Sequence, residues 1–323
     1  EIEDHGLDVA VGARRHGGTF HWKIAAAIVT CIDPAVPDNT DEPRPGPENM
    51  YDLNDNNTAP QDQPRGLWEN WSRRRILLLA GLLMGGNLFF QVWLYTMKED
   101  LFLPVLGGAV GGVFLPLILV AQRHGFSLRR DFGLVDVRPA VLAASALLTV
   151  CTLVPTSFLA ELSLRLFPAD PAWESFMLEH LPTTPYEIFL AVLAVVFMAP
   201  LAEEIIFRGL LHRVFALKFG PWAAVLLAAL VFAAVHLEPW FIFGLVGVGI
   251  MLGFIFATTG SVTACWVAHA LHNAISLWFM MSAQDGLAEP QAVTTPDWWL
   301  MAGSILGMVL VGKYLLVAGK RST

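Results

Sequence analysis

The chain has 323 residues, 55% of them hydrophobic and only 15% charged, against roughly 25% charged in an ordinary soluble domain, which excludes a typical soluble enzyme. Its formal charge of −8 sits at one end: residues 1–70 hold 13 Asp/Glu against 5 Lys/Arg, whereas residues 71–323 hold 15 of each. The polar part has no long basic run to favour nucleic-acid binding, and Cys31, Cys151 and Cys265 are too widely spaced for a disulfide framework or a zinc site.

Residues 1–70 read as an acidic, largely disordered N-terminal tail. From Asp33 to Arg65 proline and Asn/Asp recur, breaking both helix and strand, and little is available to bury. The apolar stretch Ile24–Ile32 is too short to cross a bilayer, and no small-residue cleavage signature follows it. The chain opens at Glu1 rather than a methionine, so its start is not over-read.

Residues 71–323 read as a transmembrane helical domain. Eight apolar stretches approach the roughly 20 residues needed to span: 75–97, 101–121, 140–164, 186–217, 221–237, 240–258, 261–281 and 298–318. Cations mark the cytoplasmic side. Arg73, Arg74 and Arg75 precede the first span, and Arg123, Arg129, Arg130 and Arg138 separate the second from the third. Arg213 and Lys218 separate the fourth from the fifth, and Lys320 and Arg321 follow the last. The intervening loops are acidic, with Glu99, Asp100, Asp170, Glu174, Glu179, Asp285, Glu289 and Asp297 outnumbering Lys98 and Arg165. The expected fold is therefore all-α: a polytopic membrane protein of about eight transmembrane helices, both termini cytoplasmic, in the inner membrane of the cell. Gly108 with Gly112, and Gly249 with Gly253, are spaced for close helix packing. No repeat of 20 to 50 residues supports a solenoid or an inverted-repeat transporter.

Ionisable side chains within a bilayer cost several kcal/mol each, so those present are functional candidates. The fourth span carries Glu203, Glu204 and Arg208, the fifth His236, and the seventh His269, His272 and Asn273. Glu204 and Arg208 stand four apart with the acid first, the spacing of a helical ion pair. Glu203 lies about 100° round the helix and its four-apart neighbour is Phe207, so it has no partner on its own helix and is the carboxylate free for chemistry. His269 and Asn273 share a face. His272 points elsewhere and reads as a packed or interfacial histidine. Depth agrees: Glu203 and His236 each lie roughly 22 to 24 Å from the turn at 218–220 at 1.5 Å per residue. His269 and Asn273 are somewhat shallower, at roughly 12 and 18 Å. With the turn between the fourth and fifth spans projecting beyond the bilayer, the four would converge on one buried site reached from the cytoplasm.

A carboxylate in such a site can act as general base toward water, a histidine can share that water, and His and Asn donors can stabilise an oxyanion. This is a peptide-hydrolysis constellation without a nucleophilic Ser or Cys. The alternative is zinc bound by Glu203, His236 and His269, since two His and one Glu are a known ligand set, although no HExxH is present.

The segments EEIIFR, FAAVH and HALHN resemble, in order and on separate helices, the motifs EExxxR, FxxxH and HxxxN of the CPBP family (Abi, type II CAAX-prenyl-protease-like) of intramembrane glutamic endopeptidases. The resemblance covers about 186–281. It implies that Glu203 and His236 activate water, that His269 and Asn273 form an oxyanion hole, and that Glu204 and Arg208 support the site, without a cofactor. The partners so implied are a peptide or protein substrate at the membrane and the lipid bilayer. The acidic tail matches nothing in the family, and neither the substrate nor the oligomeric state can be read. The competing reading is a catalytically idle relative acting as a membrane scaffold or in bacteriocin immunity, which would not need a free buried carboxylate level with His236.

Overall fold

The computed structural model of the chain describes residues 66–98, 101–284 and 297–319. Of the tail, residues 1–65 lie outside the described residues, as does the loop 285–296. All described regular structure is helical. The eight expected helices are present: α2 (Arg73–Lys98), α3 (Phe102–His124), α5 (Pro139–Leu166), α7 (Pro185–Phe219), α8 (Pro221–Val235), α9 (Ile242–Thr259), α10 (Val262–Gln284) and α11 (Trp298–Ala318). Three short helices join them: α1 (Leu67–Asn70), α4 (Leu128–Phe132) and α6 (Pro171–Glu179). The chain is a multi-pass membrane protein.

Among the described residues six helices are long and apolar enough to span: α2, α3, α5, α7, α9 (from Pro239) and α11. Two of the eight fall short for separate reasons. At 15 residues α8 extends about 22 Å, less than a roughly 30 Å hydrocarbon core. The 23-residue α10 is long enough, but His269, His272 and Asn273 lower its hydropathy.

Local chemistry sets the boundaries. α7 begins with a capping box, in which Glu187 N donates to Thr184 Oγ1 at 3.2 Å and Thr184 N to Glu187 Oε2 at 2.9 Å, with Pro185 opening the first turn. Gly220, at φ 85° and ψ 165°, takes an extended positive-φ conformation that glycine alone adopts readily and that ends α7, and Pro221 restarts the chain as α8. Ser127 caps α4 and Asp170 caps α6. α1 falls where composition alone placed the tail, because Leu67 is buried and Trp68 Nε1 donates to Asp131 O at 2.7 Å.

α9 is the most enclosed of the spans, with 56% of its apolar window buried, and α11 the most peripheral, with 11%. α9 packs on α8 and α5, while α10 packs on α5 and α7. The expected glycine packing is present: a Cβ at Gly112 would meet the backbone of Gly86 and Asn87, and one at Gly249 would lie 2.8 Å from Ala229. The outer surface is apolar, with Leu78, Leu82, Phe89 and Trp299 among the exposed side chains. That suits contact with lipid rather than water.

Candidate active site

Glu203 and Glu204 end a six-residue α-helical stretch, Ala199–Glu204, set between two π-helical segments of α7, Val192–Met198 and Ile205–His212. Such wide turns are rare and concentrate at functional sites. The adjacent carboxylates point into different surroundings. Glu204 is wholly buried, whereas the Glu203 side chain keeps 25% of its surface.

Glu204 is the hub. Its Oε1 accepts from Arg208 Nη1 at 2.8 Å and from His269 Nδ1 at 2.8 Å. Arg208, also wholly buried, sends Nη2 to the Gly249 carbonyl at 3.1 Å, and its guanidinium carbon stands 5.1 Å from the Phe232 ring centre. The close approach of α9 to α8 at Gly249 brings that carbonyl into reach. Three helices are thus tied together through one ion pair, and the bonds compensate much of its desolvation.

His269 lies between the two glutamates. With Nδ1 donating to Glu204, its ring is fixed, and Nε2 faces Glu203 Oε2 at 3.8 Å. That gap is too wide for a direct hydrogen bond and lets one small molecule touch both atoms. His236, at the end of α8, donates Nδ1 to Phe232 O at 2.7 Å, leaving Nε2 for other work. The Phe232 ring is the shared wall, 4.6 Å from the His236 ring and 5.7 Å from that of His269. Asn273 lies one turn beyond His269 and donates Nδ2 to Val195 O at 2.9 Å, tying α10 to α7.

The structure brings Glu203, Glu204, Arg208 and His269 together, sets His236 against the Phe232 ring that also meets His269, and ties Asn273, one turn along α10, to the Val195 carbonyl; Glu204 pairs with Arg208 as the spacing predicted. Two contacts were not legible beforehand. Glu204 bonds His269 across 65 residues of chain, supplying a carboxylate partner for a histidine where none was evident in the sequence. His212 is wholly buried on α7, four residues beyond Arg208, and continuing the Glu204–Arg208 spacing by one more step would have found it. His272 is partly buried, its Nδ1 without a protein partner. Among the described residues no group of three His, Cys, Asp or Glu side chains is placed as a metal-ligand set.

No curated protein and no solved structure matches the chain. Residues 185–275, from the head of α7 into α10, match the Rce1-like family model, described as type II CAAX prenyl endopeptidase Rce1-like. The matched stretch, under a third of the chain, contains all six residues of the candidate site.

Proposed function

We propose that the chain is an intramembrane endopeptidase in which Glu203 is the general base toward water. The observation that carries this reading is the division of labour between the adjacent glutamates. Glu204 is consumed by Arg208 and His269, while Glu203 is partly exposed and faces His269 Nε2. A water beside Glu203 gives its proton to that carboxylate as its oxygen attacks the peptide carbonyl carbon. The tetrahedral oxyanion is met by an N–H at Nε2 of His269, the ring being held at Nδ1 by Glu204, and by the second amide hydrogen of Asn273. Collapse breaks the C–N bond and the proton passes from Glu203 to the leaving amine. His236, its Nδ1 held by a carbonyl, shares the attacking water through Nε2.

This chemistry requires no metal. Arg208 acts through Glu204, fixing the carboxylate that orients His269, and is a positioning residue. The helical domain is oriented with both its ends toward the cytoplasm, a reading supported by the arginines at 73–75, 123, 129, 130 and 138, and the host bilayer we propose is the inner membrane. The substrate is a peptide or protein segment presented at the membrane. The test is peptide cleavage by purified protein with Glu203→Gln as control. Cleavage that disappears in that variant supports the reading, whereas a wild-type chain inert toward a peptide library favours the idle scaffold.

A further inference from the structure

Three residues at successive four-residue steps on α7, Glu204, Arg208 and His212, are wholly buried, and each leaves polar atoms without a protein partner. These are Glu204 Oε2, Arg208 Nε, and both ring nitrogens of His212. Four-apart residues are neighbours on a helix. Apolar packing encloses the far side, with Phe256 set edge-on to the His212 ring at 5.1 Å between centres. An acceptor, a donor and a mixed donor–acceptor are therefore buried along one line.

Each buried polar group left unpaired costs about 1 to 3 kcal/mol, and several in one row are rarely tolerated without ordered water. A buried water needs two to four polar partners, which this row supplies. The row starts at Glu204, one residue from Glu203, and ends at His212, from which α7 runs seven more residues to Phe219, about 10 Å. We propose that the Glu204–Arg208–His212 stripe is an internal water-binding site that feeds the candidate active centre from the Phe219 end of α7. The feeding role rests on the hydrolase reading, because each peptide bond cleaved consumes one water. The water site itself does not.

Two measurements separate these parts. Water-edited solid-state NMR on protein labelled with nitrogen-15 in its histidine rings, in lipid bilayers, reads the site without activity. The His212 signals, assigned by their loss in His212→Phe, are expected to receive magnetisation from water. If they stay dry while the partly exposed His236 is wet, the water site is overturned. In the cleavage assay His212→Phe is expected to lower kcat about tenfold, a loss within the range for one bridging water, with KM unchanged. His212→Gln, which keeps a donor and an acceptor, should recover most of the rate. Equal kcat in wild type and His212→Phe overturns the feeding role. A wild-type chain that cleaves nothing but shows a wet His212 overturns the hydrolase reading and with it the feeding role, and leaves the water site supported.

Discussion

Arg208→Ala removes the central tie of the site, and its cost can be worked from the structure. The guanidinium makes one charge-assisted bond to Glu204 Oε1 and one bond to the Gly249 carbonyl, both in fully buried surroundings. Truncation leaves the Glu204 carboxylate buried with only His269 for company and the Gly249 carbonyl without this donor. Breaking a buried ion pair by deleting one partner costs 3 to 5 kcal/mol, so a loss of about 4 kcal/mol is expected, a large part of the 5 to 15 kcal/mol that typically holds a domain together. The assay is thermal unfolding of detergent-purified protein, read by tryptophan fluorescence and by recovery on gel filtration. Arg208→Lys should fall between wild type and Arg208→Ala, since one ammonium cannot reproduce the planar fork toward both acceptors. A melting temperature for Arg208→Ala equal to that of wild type would refute the reasoning, because it would mean that truncation does not leave Glu204 as an uncompensated buried charge.

Asn273→Ala should lower turnover by roughly 10² to 10³, the usual cost of losing one oxyanion donor, with less effect on KM; a change confined to KM would remove Asn273 from that role. Purified protein should hold no stoichiometric zinc and keep its activity in strong chelator, and activity lost to chelator and restored by zinc would replace this mechanism with a metal-dependent one. Reporter fusions after Arg138 and Lys218 should report cytoplasm and fusions after Glu179 and Asp285 the opposite side, with an inverted result at Lys218 counting against the orientation. Burial raises the Glu238 carboxyl above its usual range, opposed in part by nearby His236. A carboxyl raised in the folded state favours folding at acid pH and loses that contribution as pH climbs through its folded value. Glu238→Gln should therefore raise the melting temperature at pH 8 more than at pH 4, and the reverse order would contradict the assignment.

The spans were legible because an apolar run of helical length is a strong local signal. α1, α4 and α6 were not, since each is held by particular contacts such as Trp68 to the Asp131 carbonyl and the Ser127 cap rather than by any periodic pattern. The inner geometry of the site divides the same way. The Glu204–Arg208 pair follows from spacing on one helix. The bonds from His269 to Glu204 and from Asn273 to the Val195 carbonyl join residues 65 and 78 positions apart, and only the packing of α10 on α7 creates them. Glu203 was legible by elimination, as the carboxylate its own helix leaves unpaired. That His269 stands 3.8 Å from it required the fold.

The central claim, that Glu203 rather than Glu204 takes the proton from water, is met most directly by comparing Glu203→Gln and Glu204→Gln for peptide cleavage and melting temperature on the same preparations. The account predicts that Glu203→Gln abolishes cleavage while melting like wild type, because Gln keeps the shape but cannot accept the proton. Glu204→Gln should lose melting temperature as well as rate. Cleavage retained in Glu203→Gln would contradict the account.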